Sequence, residues 1–150
     1  MCGIAGIIPF KNTVNLTRIN DMIEAIAHRG PDQEEKFKSK NSIFGFVRLK
    51  IIDLSNKSNQ PFYSEDKKVK IIYNGEIYNF IELKNTHFKN IKFKSNGDGE
   101  VILHLYLKFG IGFVNKLSGM YSIAIIDERI NTTYLVRDRF GIKPLYYYSD

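Results

Sequence analysis

The residue best placed to do chemistry is Cys2, the only cysteine in the chain, which directly follows Met1. Removal of Met1 would leave the α-amine of Cys2 on the same residue as its thiol. These groups titrate near ~8 and ~8.5, so part of each is in its reactive form at neutral pH. The amine can therefore act as the base that activates its own thiol. The alternative interpretation is a small apolar cysteine within a buried strand.

Three other polar positions interrupt or follow apolar segments. Arg48 lies in an apolar strand pattern, where a guanidinium is costly unless it meets an anion such as a carboxylate. Asn74-Gly75-Glu76 combines an amide side chain with a flexible backbone N–H, the parts of an oxyanion hole. Asp98 lies among glycines before a predicted helix and could bind an ammonium group. The competing interpretations are an edge arginine facing water, a plain hairpin turn at Asn74-Gly75 and a helix cap at Asp98.

Composition limits the class of protein. The 150 residues are 43% hydrophobic and 25% charged, which indicates one globular domain spanning the chain. A single cysteine excludes a disulfide framework and a cysteine-rich metal site and fits a reducing compartment. The chain has no apolar run of membrane-spanning length and no signal-peptide pattern, so we expect a cytoplasmic protein without a membrane partner. The net charge is +6, but the lysines are scattered among Asn and Ser, which favours a solvated surface over a nucleic-acid site.

Strand and helix signals alternate along the chain. Apolar residues predict a buried first strand at residues 4–8, and helical spacing predicts a helix at about 15–28 that stops at Gly30-Pro31. We also predict loops at 32–41, 53–60 and 96–99, strands at 43–52, 69–73, 120–127, 132–137 and 144–148, and a helix at 101–109. These elements predict an α+β fold dominated by antiparallel strands. The final aromatic strand has no closing element after it, so we expect C-terminal strands to be missing.

The candidate residues fall within an ordered series of short motifs. The series is Cys2-Gly3-Ile4-Ala5-Gly6, His28-Arg29-Gly30-Pro31-Asp32, Arg48-Leu49-Lys50-Ile51-Ile52-Asp53, Asn59-Gln60-Pro61-Phe62, Asn74-Gly75-Glu76-Ile77-Tyr78-Asn79, Asp98-Gly99-Glu100-Val101-Ile102 and Arg137-Asp138-Arg139-Phe140-Gly141-Ile142-Lys143-Pro144-Leu145-Tyr146. Over essentially the whole chain it resembles the N-terminal glutaminase domain of glutamine-hydrolysing asparagine synthetases. That domain is a class II (type 2) glutamine amidotransferase and an N-terminal-nucleophile hydrolase.

The resemblance implies a four-layer αββα sandwich of two antiparallel sheets, and an enzyme that hydrolyses L-glutamine to glutamate and ammonia. The implied catalytic residues are Cys2 as nucleophile, with Asn74 and Gly75 as the oxyanion hole. The implied glutamine-binding residues are Arg48 for the α-carboxylate, Glu76 and Asp98 for the α-ammonium, and Leu49 and Ile52 in the pocket wall, with Asn74 and Gly75 also contacting the substrate.

The resemblance also predicts what this chain binds. No pyrophosphate-binding loop is present, so we expect no metal and no cofactor here, and ATP and magnesium only in an absent synthetase domain. That domain, or a separate subunit, would receive the ammonia and amidate aspartate. Two alternatives remain open: a truncated, catalytically silent remnant that binds a partner, and the amidotransferase domain of a related enzyme with a different acceptor. A third, nucleic-acid binding, has no motif to support it.

Overall fold

Two antiparallel sheets form the framework of the protein, in a computed structural model that describes residues 1–9, 17–40 and 42–149. The first sheet has the order β1-β3-β2, from β1 (Gly3–Ile7), β2 (Gln33–Ser39) and β3 (Ser42–Arg48). The second has the order β4-β5-β6-β7, from β4 (Phe62–Tyr63), β5 (Val69–Ile77), β6 (Gly119–Asp127) and β7 (Thr132–Arg137). The helices are α1 (Arg18–Ile26), α2 (Phe80–His87) and α3 (Glu100–Phe109).

Alternation along β3 places one core between the sheets and another outside them. Phe44 and Phe46 face the second sheet and pack with Ile72 and Ala124. The residues that alternate with them face outward, because successive side chains of a strand point to opposite sides. There Ile43 and Val47 of β3 pack against Ile19 and Ile23 of α1.

The outer face of the second sheet carries α2 and α3. Their apolar side chains share a core with that face; its members include Ile71, Ile77, Leu83, Val101, Leu105 and Ile123. The layers are therefore α1, first sheet, second sheet, and α2 with α3. This confirms the α+β class and the four-layer sandwich.

Several elements match the sequence prediction. The strands predicted at 120–127 and 132–137 are β6 and β7, which pair as an antiparallel hairpin with Asp127 opposite Thr132. The helix predicted at 101–109 is α3, with Val101, Leu105 and Tyr106 buried. α1 runs from Arg18 and continues as a 3₁₀ turn over Ala27–Arg29 before Gly30-Pro31. The predicted start of α1, at residues 15 and 16, lies outside the described residues.

The predicted loop at residues 32–41 was wrong, because most of it is β2. This segment looks like a loop since Glu34, Glu35 and Lys36 are all exposed. It pairs with β3 along its whole length, and Phe37 stacks on Phe44 with ring centroids 5.5 Å apart. Charged side chains are common on edge strands, where they discourage pairing with other chains.

Three other strand predictions also need correction. β1 is only half-buried, because it lies at the edge of its sheet, and Ile8 is exposed beyond its end. β3 ends at Arg48, so residues 49–52 leave the sheet. Residues 144–148 pair with no described strand, and Tyr146, Tyr147 and Tyr148 are exposed.

Candidate active site

One cleft opens at the end of the sandwich where β1, β3 and β5 meet two loops. Every predicted site residue lines it: Cys2, Arg48, Leu49, Ile52, Asn74, Gly75, Glu76 and Asp98. These residues are spread over 97 positions of sequence, from Cys2 to Asp98, and the fold alone brings them together. Their chemical roles stay predictions.

Cys2 lies beside Leu49 because β1 and β3 are antiparallel, with Gly3 opposite Val47. Its thiol is half-buried against the sheet and packs beside the core between the two sheets. Burial raises the pKa of the Cys2 thiol, while a hydrogen bond from Leu49 and the positive charges of the chain terminus and Arg48 act in the opposite direction. The described residues that line the cleft include no histidine to serve as a base.

Asn74 and Gly75 lie within a strand, so the hairpin turn weighed for them is wrong. β5 continues to Ile77 and pairs with β6 throughout, with Gly75 opposite Tyr121. A glycine is required there by close packing, because a Cβ on Gly75 would lie 2.1 Å from the carbonyl oxygen of Met120. Gly75 lacks a positive φ, which a turn of the predicted type would need.

The alternation of the β5–β6 ladder decides where the Gly75 N–H points. Antiparallel partners alternate between hydrogen-bonded and non-bonded pairs. The Tyr78 N–H donates to the Ser118 oxygen at 2.8 Å, and Tyr78 and Gly75 are an odd number of residues apart. Gly75 is therefore in a non-bonded pair, and its N–H points away from β6.

On the side of β5 that faces away from β6, the neighbouring N–H groups already donate hydrogen bonds to protein acceptors. The Tyr73 N–H donates to Gln60 Oε1 at 2.7 Å, and the Ile77 N–H donates to Asp98 Oδ2 at 2.7 Å. The Gly75 N–H between them has no acceptor among the described residues. It is a backbone donor directed into the cleft.

The same alternation directs Asn74 and Glu76 toward the first sheet, on the face of β5 that carries Ile72. Asn74 is buried, and its amide lines the cleft without a hydrogen-bonding partner among the described residues. Glu76 is half-buried and likewise forms no hydrogen bond or ion pair with the described part of the chain. Both side chains are free to contact a ligand.

Arg48 is buried at the end of β3 and is held by the following loop, not by water as an edge arginine would be. Nη1 donates to the Ser55 oxygen at 3.0 Å and to Asn59 Oδ1 at 2.7 Å, and Nη2 donates to the Asp53 oxygen at 2.5 Å. A guanidinium has five N–H donors. Two N–H donors, one on Nε and one on Nη2, remain without a described acceptor. A bidentate contact with a carboxylate uses two such donors.

Asp98 is also buried and does not cap α3. The helix begins after Gly99, without a side-chain cap. Asp98 instead accepts hydrogen bonds from the Tyr73 hydroxyl and the Ile77 N–H. Burial, followed by the negative charge of Asp98, raises the pKa of Tyr73 well above its usual value, so the hydroxyl remains a donor. These contacts fix the carboxylate at the edge of the cleft.

Leu49 and Ile52 occupy the remaining wall. Leu49 contributes its backbone beside Cys2, and Ile52, 48% exposed, lies at the rim of the cleft.

No group of three or more His, Cys, Asp or Glu side chains suited to a metal occurs in the described ranges. Nor does any helix within those ranges combine the length and apolar character needed to span a bilayer.

Several cleft residues were given no role by the sequence, and four of them hold the cleft in place or are buried within it. Gln60 and Tyr73 organise the edge of β5, and Asp53 joins two loops. Lys143 is buried, with Nζ 2.9 Å from Met1 Sδ. Gln60, Asp53 and Lys143 lie within the motifs of the ordered series, so their positions in those motifs are the sequence feature that points to them.

The segment that carries Lys143 is fixed by the Arg137-Asp138 pair at its start. The Asp138 carboxylate accepts hydrogen bonds from the backbone N–H groups of Tyr121, Phe140, Ile142 and Lys143. The Arg137 side chain donates to the carbonyl oxygens of Gly141 at 2.6 Å and Lys143 at 2.9 Å. The motif thus holds a buried lysine beside the chain terminus.

Sequence comparisons relate the chain to known proteins. A family model described as a glutamine amidotransferase domain matches residues 1–150. Asparagine synthetase [glutamine-hydrolyzing] 2 of Bacillus subtilis is 48% identical over 98% of this chain and 20% of its own length. Asparagine synthetase [glutamine-hydrolyzing] 1 of the same organism is 41% identical over 98% and 24%.

A plant protein is also similar to this chain. Asparagine synthetase [glutamine-hydrolyzing] 1 of Arabidopsis thaliana is 35% identical over 97% of this chain and 25% of its own length. The chain therefore spans a fifth to a quarter of the length of these three relatives. With the family model covering all 150 residues, the chain belongs to the glutamine amidotransferase domain family.

Proposed function

We propose that this chain, once Met1 is removed, hydrolyses L-glutamine to glutamate and ammonia through a thioester on Cys2. The observation that carries the proposal is the meeting of three groups in one cleft: the Cys2 thiol, and the Gly75 N–H and the Asn74 amide, neither of which has a partner among the described residues. A nucleophile with two donors for a developing oxyanion is the minimum needed for acyl transfer.

Base catalysis comes from the Cys2 α-amine. The thiol is buried enough to raise its pKa, so at neutral pH it is largely protonated and needs a base. No histidine lines the cleft among the described residues, and a free α-amine on Cys2 would sit on the same residue as the thiol. While Met1 is present that nitrogen is an amide and cannot accept the proton.

The reaction then proceeds in two halves. The amine takes the thiol proton, directly or through a water, and the thiolate attacks the side-chain amide carbon of glutamine. Asn74 and the Gly75 N–H bind the resulting oxyanion. Its collapse breaks the carbon–nitrogen bond, and the amine returns its proton to the leaving nitrogen, which departs as ammonia. Water, deprotonated by the same amine, attacks the thioester and releases glutamate and the thiol.

Recognition of a free amino acid comes from opposite charges at the two sides of the cleft. The two remaining N–H groups of Arg48 bind the α-carboxylate, and Glu76 with Asp98 binds the α-ammonium. Leu49 and Ile52 enclose the side chain. A peptide glutamine has neither free charge, so it would leave these buried groups unpaired, which disfavours its binding.

The destination of the ammonia is inferred from the relatives. Their names describe glutamine-hydrolysing asparagine synthetases several times longer than this chain. We therefore propose that the ammonia amidates aspartate in a synthetase domain or subunit, which binds ATP and magnesium, within the cytoplasm. A different acceptor would leave the glutaminase chemistry of this chain unchanged.

Glutamine turnover by the processed chain tests the proposal. Glutamate and ammonia should form in equal amounts, and Cys2→Ala should abolish both. A processed, folded chain that binds glutamine without releasing ammonia would instead favour the silent binding module.

A further inference from the structure

Two loops hold two of the three charged groups that we assign to glutamine recognition; the third, Glu76, lies on β5. Residues 53–60 carry the acceptors that fix Arg48, through the oxygens of Asp53, Ser55 and Asn59. Residues 95–99 carry Asp98. Asp98 is also anchored to β5 by Tyr73 and Ile77, so the distance between Arg48 and Asp98 depends both on that anchor and on how these loops are joined.

The Asp53 carboxylate joins them. Oδ1 accepts the Ser55 N–H at 2.8 Å, and Oδ2 accepts both the Ser58 hydroxyl at 2.8 Å and the Asn96 N–H at 2.9 Å. Among the described residues, no other hydrogen bond connects the two loops. Hydrogen bonds from Ser55, its side chain foremost, and from Ser58 and Asn96 outweigh the effect of burial and lower the pKa of Asp53 far below the usual range, so this buried carboxylate is charged at neutral pH.

Close packing reinforces the connection. A Cβ added to Gly97 would lie 2.7 Å from Ser58 Oγ and 3.5 Å from the Asp53 Cβ. The loops are therefore in van der Waals contact, and a change in the length of the Asp53 side chain would separate them. Lys84 supports the same loop from α2 by donating to the Gly97 oxygen at 2.9 Å.

We propose that Asp53 is a positioning residue that sets the spacing between Arg48 and Asp98, so that the cleft selects ligands carrying both an α-carboxylate and an α-ammonium. This inference rests on the proposed function. Three of the lone-pair sites of Asp53 are already occupied by protein donors, so it acts through the loops and not as a direct ligand of the ammonium.

The experiment compares two substrates in the processed protein: L-glutamine and 4-carbamoylbutanoate, which has the same amide and carboxylate but lacks the amino group. The measured quantity is the ratio of their kcat/KM values. We expect Asp53→Asn to lower this preference for glutamine at least about tenfold, since small displacements of positioning groups cost factors of this size. KM for glutamine should rise while kcat changes little, because the oxyanion donors lie on β5.

A matched control is Asp66→Asn. Asp66 makes the same kinds of hydrogen bonds, from the Ser64 hydroxyl at 2.6 Å and the Lys68 N–H at 3.0 Å, but outside the cleft. Its substrate preference should equal that of the unmodified chain. Asp53→Glu keeps the charge and lengthens the side chain, so a positioning role predicts the same loss of preference as Asp53→Asn, whereas a purely electrostatic role predicts none.

The outcomes separate the two proposals. An unmodified, processed chain that fails to hydrolyse glutamine contradicts the proposed function. An active chain whose Asp53→Asn variant melts cooperatively and keeps its substrate preference overturns the positioning role. If Asp53→Asn does not fold, the preference of Asp53→Glu decides: retained preference in that folded variant overturns the inference.

Discussion

The Cys2 thiol and the Leu49 backbone are hydrogen-bonded to each other in both directions. The Leu49 N–H donates to Sγ at 3.4 Å, and Sγ donates to the Leu49 oxygen at 3.7 Å. The first hydrogen bond stabilises the thiolate and the second stabilises the thiol. The Leu49 backbone can therefore bind the sulfur both before and after it loses its proton. Arg29 adds a hydrogen bond to the Cys2 carbonyl at 3.1 Å, which fixes the chain beside the nucleophile.

Removal of Met1 should switch the enzyme on. Protein that retains Met1 should show no glutaminase activity, and its thiol should react slowly with iodoacetamide at pH 7, because burial raises the thiol pKa. Protein beginning at Cys2 should turn over glutamine. Intact mass, alkylation rate and ammonia release measure the three properties on the same samples. Full activity with Met1 in place would remove the α-amine from the mechanism.

Asn74→Ala should lower kcat and leave the KM for glutamine nearly unchanged, because an oxyanion exists only after Cys2 attacks. The expected loss is on the order of 10²–10³-fold, or about 3 kcal/mol. β5 should persist, since the lost amide bonds to no described residue. Asn79→Ala is the control: its amide binds the Lys116 oxygen and the Ser118 N–H outside the cleft. Weaker glutamine binding with an unchanged maximal rate would place Asn74 elsewhere in the mechanism.

Arg48→Lys should raise the KM for glutamine at least about tenfold, because a bidentate contact becomes a point charge. The structure adds a second effect: the substitution also loses hydrogen bonds to Ser55, Asn59 and Asp53, so the melting temperature should fall. Asn59→Ala separates the two, since it removes one anchor and keeps the guanidinium. Its KM should rise much less. An unchanged KM in a destabilised Arg48→Lys protein would make Arg48 purely structural.

Gly75→Ala should destabilise the fold by about 3 kcal/mol or more, because the new methyl group would overlap the Met120 carbonyl in the adjacent strand. Urea unfolding measures the effect. Gly112→Ala is a fair comparison, since nothing lies within 4 Å of an added Cβ there. Equal midpoints for the two variants would show that β5 and β6 can move apart.

The segment before α3 should loosen in acid. Burial alone would raise the pKa of Glu100, but hydrogen bonds from His104, Lys94 and Ser95 outweigh it and lower the pKa to about 2, from 4.5 for the free group. Because the folded pKa is the lower one, this stabilisation is complete above about pH 4.5 and is lost as the pH falls toward 2.

Glu100→Gln should therefore flatten the acid limb of a plot of unfolding free energy against pH. At pH 7 it should cost up to about 3 kcal/mol. Glu82→Gln, on the exposed side of α2, serves as the control and should leave the limb unchanged. If Glu100→Gln leaves the loss of stability at low pH unchanged, other carboxylates are responsible for that loss.

The ordered motifs predicted the fold class, and the residues they singled out line one cleft. Local patterns erred where a neighbouring strand decides the structure. Asn74-Gly75 is a typical turn dipeptide, but its glycine serves the approach of β6. Residues 33–39 have loop composition, yet their backbone pairs with β3. In both places the cause is a partner distant in sequence, which no local window contains.

The groups that hold the cleft residues in place were harder to predict than the residues that line the cleft. Arg48 was expected to meet a carboxylate, and no pattern showed that three of its donors are committed to the loop after it. Likewise, nothing local to Asp98 indicates that Tyr73 and Ile77 will bond to it. Such contacts depend on the relative positions of loops, which are set only when the sandwich assembles.

The direction of the Gly75 N–H has a consequence for how this site can change through mutation. The donor belongs to the backbone, and its orientation follows from counting residues along β5 from the Tyr78–Ser118 hydrogen bond. Substituting a side chain cannot remove it without disturbing the sheet. Inserting or deleting one residue in β5 would reverse the alternation, turn that N–H toward β6 and bring Asn74 to the opposite face. This backbone donor should therefore survive side-chain substitutions that leave the pairing of β5 with β6 intact, but no change of length in this strand.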